Sequence, residues 1–188
     1  MPKSKTQPTF RETKFGILPI VEIENNITNN LISVRVYILR NYKKLNIGIK
    51  LAKDLHLKLS GSLFDEAGNF RKRQVELGEY EPPSYFKILE MMKNWEADFN
   101  ERKKFIKTSD GHIEILAWMM HKFLWIHPFF DYNGRISRLL GEIYLLQNNL
   151  PVMSFMGVKR NEFAEAMKSI TFKNNLSGII KIIKKNLK

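Results

Sequence analysis

The chain contains no cysteine. Disulfides, thiolate nucleophiles and cysteine-bound metals are therefore excluded, and the composition is compatible with a reducing cytoplasm, the expected location. No stretch approaches the roughly 18 consecutive apolar residues of a membrane span. The polar segment Met1–Lys14 has no apolar centre like that of a secretory signal. Internal repeats and low-complexity blocks are also missing. Acidic residues are scarce, with 19 Asp and Glu against 31 Lys and Arg, which leaves a formal charge of +12. Such a balance raises nucleic acid, a membrane surface or phosphate-bearing ligands as partners without choosing among them. A solvated, lysine-rich surface accounts for it equally well.

What remains is the material of an ordinary globular domain. The 188 residues suit one domain, and 13 Phe, 8 Met and 3 Trp supply a core large enough to argue against wholesale disorder. Apolar positions recur every three or four residues from Leu31 to Lys44 (Leu31, Val34, Ile38, Tyr42) and from Ile49 to Leu59, which predicts two helices. Pro82 and Pro83 precede a third, Tyr85–Phe99, as proline favours a first helical turn. His112–Ile126 is apolar nearly all round and belongs in the middle of a bundle. Arg135–Gln147 carries the stripe Ile136, Leu139, Leu140, Ile143 and Leu146, and Asn161–Ser169 and Leu176–Asn186 close the chain. Only Asn69–Tyr80 suggests sheet, as a hairpin or flap with Val75 and Leu77 in alternation. The expected fold is all-α: about seven or eight helices with one short β-hairpin. Met1–Thr9 and the residues after Ile183 are expected to fray. His112 is expected to be exposed, His56 half-buried, and Trp118 and Trp125 core.

The segment His127–Arg138 (HPFFDYNGRISR) joins the two most apolar helices. Pro128 should end the first, because a residue before proline is pushed out of the helical region. Asn133 and Gly134 turn into the second. The first turn of a helix offers unpaired N–H groups and the positive end of its dipole, an anion site. Arg135 and Arg138, three apart, share a helix face and suit bidentate phosphate binding. Asp131 is a hard oxygen ligand for a phosphate-bound Mg²⁺. His127 is the group most able to take a proton near neutrality. One loop thus carries what phosphoryl or nucleotidyl transfer needs.

These residues resemble the signature of the Fic (cell filamentation) family of AMP-transferring enzymes, His-x-Phe-x-[Asp/Glu]-Gly-Asn-Gly-Arg-x-x-Arg. Every fixed position matches except Tyr132, where the family usually has Gly. The likeness extends to His121, Phe123 and Ile126, and upstream to Ala67–Arg71, Val75, Leu77-Gly78 and Pro82-Pro83. It covers about Leu31–Lys184 and implies a Fic-type domain over residues 31–184. Residues 1–30 would be an N-terminal extension with a regulatory helix, and 185–188 a tail. The expectation is a bare catalytic core without a separate targeting domain.

The resemblance also implies roles. His127 would be the general base that deprotonates a target Ser, Thr or Tyr hydroxyl, and Phe129 a core anchor of the loop. Asp131 would bind Mg²⁺ on the ATP phosphates. Asn133 and Gly134 would hold the α- and β-phosphates, and Arg135 and Arg138 the β- and γ-phosphates. The related Doc branch, a phosphotransferase, usually has Lys where Gly134 stands, which favours AMP transfer. Val75, Glu76 and Leu77 would pair with a strand of the target protein. Ile20–Asn25 is the nearest match to the family's inhibitory helix, with Glu24 expected to contact Arg138. If Glu24 is not the inhibitor, an antitoxin on another chain is an open partner; some relatives dimerise, so oligomeric state is open too. If residue 132 takes a positive φ, Tyr132 would be strained and could restrict the site. Two alternatives therefore stand beside the enzyme: a Fic-like fold with weakened or altered nucleotide chemistry, and a basic helical nucleic-acid-binding module. The latter lacks a clustered Arg/Lys recognition helix.

Overall fold

The computed structural model describes residues 9–77, 80–152, 160–173 and 175–187. Residues 1–8, expected to fray, lie outside them, as do Gly78 of the expected flap and Lys188 of the tail. Seven α-helices are described: α1 Ile20–Asn41, α2 Ile49–Ser60, α3 Ile88–Arg102, α4 Ser109–Ile126, α5 Asn133–Gln147, α6 Arg160–Lys173 and α7 Ser177–Asn186. A two-stranded antiparallel sheet, β1 Phe10–Thr13 with β2 Gly16–Pro19, precedes them. Among the described residues, no helix is long and apolar enough to cross a membrane.

Helix α4 is the axis of the bundle, packed against α3, α5, α6 and α7. Its near-uniform apolarity follows from that position, since Leu116, Ala117, Met120, Phe123 and Ile126 are all fully buried. Thr108 caps it, its side chain accepting from the Gly111 N–H at 3.1 Å. Gly141 lets α5 lie close, because a Cβ there would stand 3.2 Å from both Leu116 and Met120. Trp95 of α3 donates its indole N–H to the Met119 carbonyl at 3.2 Å. On the far side, Arg35 of α1 chelates the buried Glu142 of α5, with its Nε at 3.2 Å and a terminal nitrogen at 2.6 Å.

The helices expected from periodicity are all present, and their limits differ mostly by a few residues. Helix α1 is the exception. It begins eleven residues before Leu31, because Ile20, Ile23 and Ile27 continue the same apolar stripe. The expected domain start at residue 31 therefore falls inside a continuous helix, and Ile23 and Ile27 belong to the common core. Helix α7 runs to Asn186 and so crosses the expected tail boundary, with Ile179, Ile182 and Ile183 buried. The regular hairpin lies at Phe10–Pro19 in the N-terminal segment. In the Asn69–Tyr80 stretch, the described sheet pairing is a single antiparallel bridge between Leu77 and Tyr80.

His112 is half-buried and not exposed, with Nδ1 2.7 Å from the Tyr144 hydroxyl on α5. His56 is only 4% exposed. Trp118 and Trp125 are partly buried at the rim of the core, where Arg102 and Lys122 respectively lie over their rings.

The N-terminal half of α1 is thus part of the domain's core. Ile27→Ala should destabilise the fold by about 2–5 kcal/mol, measured by urea denaturation. A change under about 0.5 kcal/mol, the level of a surface substitution, would show that this half of the helix packs outside the core.

Candidate active site

The loop 127–132 connects the C-terminus of α4 to the N-terminus of α5. It is bounded by two non-glycine residues in the left-handed region, His127 (φ 52°) and Tyr132 (φ 56°). Such a shape costs about 1–2 kcal/mol per residue and persists only when its surroundings over-determine it. Here they do. Phe129 is fully buried and stacks on His56, with ring centroids 4.0 Å apart and planes within 12°. Asn133, 1% exposed, clamps the same residue at both ends: its amide donates to the Phe129 carbonyl at 2.8 Å and its oxygen accepts from the Phe129 N–H at 2.9 Å. The Asn133 side chain thus engages the loop through both of its polar atoms.

His56 supplies a second pin. The Gly68 N–H donates to its Nδ1 at 2.9 Å, so the ring proton sits on Nε2, 3.3 Å from the Asp131 carbonyl. Burial lowers the His56 pKa to about 4 and keeps it neutral. Arg71 supplies a third, its Nε donating to the His127 carbonyl and its backbone N–H to the Pro128 carbonyl, both at 2.9 Å. Neither residue stood out in the sequence as part of the site. Their partners are backbone atoms many residues away, which no local pattern announces.

The His127 ring is partly buried at the corner so formed. Desolvation, reinforced by the nearby Arg71 charge, lowers its pKa to about 4, against the opposing pull of the Leu124 backbone and Asp131. It is therefore neutral at physiological pH and competent to accept a proton. His121 has its Nε2 3.0 Å from the Thr171 hydroxyl of α6.

Beyond the loop, α5 starts at Asn133 with no side-chain cap from Tyr132. A Cβ placed on Gly134 would meet nothing within 4 Å. The helix start is therefore open above Gly134, where an anion can approach the dipole's positive end. Arg135 follows in the first turn. Its Nη1 is buried without a hydrogen-bond partner among the described residues, a state worth about 1–3 kcal/mol to a phosphate oxygen that relieves it. Its other terminal nitrogen is ion-paired with Glu24 of α1. Glu24 thus reaches the motif from the expected helix and engages Arg135. Arg138 lies further along α5 and is half-buried.

The N-terminal hairpin also comes to the site. Arg11 of β1 is ion-paired with Asp131 and lies over the Phe64 ring at 4.2 Å. The carboxyl of Asp131 is half-exposed and also accepts from the Tyr132 N–H at 2.7 Å. Tyr132 itself is 8% exposed, wedged between Phe64 and His56, and the Arg135 guanidinium is 5.2 Å from its ring centroid. Burial and Asp131 push its hydroxyl up to about 12, so it stays neutral. Beside the loop, a cavity of about 360 Å³ is lined by β1 and by Phe64, Glu66, Arg73 and Phe130.

Val75 is half-buried and Glu76 and Leu77 are exposed on the segment that follows Arg71. That segment is tied down at its far end by Tyr80, whose hydroxyl donates to the Trp125 carbonyl at 2.7 Å.

Comparison with known proteins agrees with this architecture. The pattern of the Fic/DOC family matches residues 46–145. The protein adenylyltransferase Fic of Drosophila persimilis is 31% identical over 127 residues, covering 67% of this chain and 24% of that protein. Its counterpart in Drosophila yakuba is 31% identical over 128 residues, with 67% and 25% covered. The chain therefore spans about a quarter of the length of these curated relatives. BepC, a VirB-translocated effector of Bartonella tribocorum solved with bound AMPPNP, superposes with a TM-score of 0.76 at 17% identity, over 97% of this chain and 94% of that one. The N-terminal FIC domain of Bep8 from Bartonella sp. 1-1C gives 0.81 at 14% identity, over 100% and 93%. At these identities the solved structures speak to the fold, and the match over residues 46–145 contains the whole pinned loop and the start of α5; the chain belongs to the Fic/DOC family.

Proposed function

We propose that this chain is a protein adenylyltransferase, transferring AMP from ATP to a Ser, Thr or Tyr hydroxyl of a target protein. The observation that carries this reading is the pairing of a neutral, partly buried base, His127, with the open start of α5 at the two ends of one pinned loop. The first-turn N–H groups and the orphaned Arg135 nitrogen suit the phosphates, with Arg138 on the same helix face as the second arginine. The curated relatives' name supports the same reaction. His127 takes the proton of the target hydroxyl, whose oxygen attacks the α-phosphorus. A P–O bond forms there, the bond to the β-phosphate breaks, and pyrophosphate leaves with that electron pair.

Asp131 fits a Mg²⁺ that is held mainly by phosphates. Among the described residues no group of three or more acidic or histidine side chains could hold a metal unaided, so the ion would depend on one carboxylate plus the nucleotide. When bound it would supply charge neutralisation to the triphosphate. The segment Val75–Leu77, exposed at Glu76 and Leu77, suits a target strand, which would pair through Glu76, since the Leu77 N–H and C=O are taken by Tyr80; the cysteine-free chain suits action in the cytoplasm.

Two contacts describe a restrained state of this enzyme. Glu24 occupies Arg135 and Arg11 occupies Asp131, so the N-terminal segment neutralises two groups that the nucleotide would use. A target protein, a second copy of this chain or a separate antitoxin are the partners that could change this state.

Four measurements test the proposal. ATP labelled at the α-phosphate should mark protein and ATP labelled at the γ-phosphate should not, with His127→Ala lowering incorporation by about a hundredfold or more. Because the His127 pKa is lowered to about 4, the initial rate should hold from pH 8 down to about 5.5. A fall centred near pH 6.5 would identify a base with an ordinary histidine pKa. Tyr132→Gly relieves about 1 kcal/mol of left-handed strain and should raise AMPPNP affinity or turnover about fivefold; no change in either would remove Tyr132 as a restriction and with it the weakened-enzyme alternative. Glu24→Gly should raise auto-modification about fivefold, the scale of a part-exposed ion pair, and unchanged activity and nucleotide affinity would rule out the restraint.

A further inference from the structure

We propose that Arg71 is a positioning residue that couples the flap segment, residues 73–83, to the backbone of His127. The inference rests on the adenylyltransferase reading, since it is as a base that His127 needs positioning.

Arg71 is 4% exposed, which is unusual for a guanidinium. Among the described residues its side-chain hydrogen-bond partners are all neutral. Nε donates to the His127 carbonyl at 2.9 Å, one terminal nitrogen to the Arg73 carbonyl at 3.1 Å and the Gln74 side-chain oxygen at 3.3 Å, and the other to the Pro83 carbonyl. Burial pulls its pKa below the ordinary arginine value. A buried charge held by carbonyl dipoles is an expensive way to stabilise a fold, for which an apolar side chain would serve better.

What arginine provides instead is geometry. Its rigid fork of five N–H donors reaches three separate stretches of backbone at once. Those stretches are the corner of the catalytic loop and the two ends of the flap segment. Gln74 extends the same network, its amide donating to the Pro82 carbonyl at 2.7 Å. Tyr80 makes an independent tie to the Trp125 carbonyl, two residues before His127. The carbonyl that Arg71 holds belongs to a residue at φ 52°, ψ 61°, where the direction of the side chain depends on the backbone remaining in that well. A strand docked on the flap therefore pulls on the peptide that aims the base, and the left-handed corner is kept by the same side chain that closes the flap.

The coupling is tested with Arg71→Lys, Arg71→Gln and Gln74→Ala in the full chain. Three readouts are needed: AMPPNP affinity by calorimetry, incorporation of α-labelled AMP, and hydrogen exchange of peptides covering 71–83 and 123–131. Arg71→Gln should lower incorporation about a hundredfold, the scale of a misplaced catalytic group, while AMPPNP affinity stays within about threefold. Exchange should rise in both segments together and not in α3. Arg71→Lys should recover part of the rate. Gln74→Ala should lower it severalfold alone and add little to Arg71→Gln, as expected of two parts of one network. The proposal is overturned if exchange rises in 71–83 alone while incorporation keeps its wild-type rate. It is equally overturned if Arg71→Gln loses AMPPNP binding in proportion to rate while Arg71→Lys and Gln74→Ala behave as wild type, the outcome of a purely structural role. A wild-type chain that incorporates no α-label would defeat the adenylyltransferase reading instead, and the exchange measurements would then decide the coupling by themselves.

Discussion

The site depends on one exchange of hydrogen bonds, that between the Asn133 side chain and both backbone groups of Phe129. It joins the first residue of α5 to the buried ring that roots the loop in the core. Without it, a six-residue segment with left-handed residues at both ends would relax toward more ordinary dihedrals. With it, the aromatic stack of Phe129 on His56 and the packing of α4 against α5 set the positions of His127 and of the α5 start at the same time. The bundle's packing is thereby converted into the geometry of two chemically active ends.

Much of this was visible in the amino-acid sequence. Helices α4 and α5 carry unbroken apolar patterns, and Pro128 marks the break between them, so both the elements and the loop could be read directly. The beginning of α1 was harder because Glu22, Glu24, Asn25 and Asn26 dilute its first turns, although Ile20, Ile23 and Ile27 keep the helical spacing. The hairpin Phe10–Pro19 left little trace. Its strands have four residues each, and a two-stranded sheet of that size is held by neighbours such as the Leu63 carbonyl, which accepts from the Lys14 N–H.

The motif gave away the residues that point outward toward a ligand and hid those that hold it from behind. His56, Arg71 and Arg11 act on atoms 56 to 120 positions distant in the chain. Asn133 has a task the signature does not announce, because its burial and its bonds to Phe129 make it part of the loop's architecture. Glu24 lies on the N-terminal helix and meets Arg135, a pairing that the packing of α1 decides and no local pattern announces.

The pins on this loop share a direction. The carbonyls of His127, Pro128, Phe129, Asp131 and Tyr132 are each taken up by a donor within the fold: Arg71 twice, Asn133, His56, and the amides of α5. The loop has turned the negative ends of its peptide units inward. An approaching anion meets little repulsion from the backbone, whatever the lysine content of the surface. The local polarity of the site is then a property of chain direction, not of net charge, and a relative with a neutral or acidic exterior could present the same welcome to a polyphosphate.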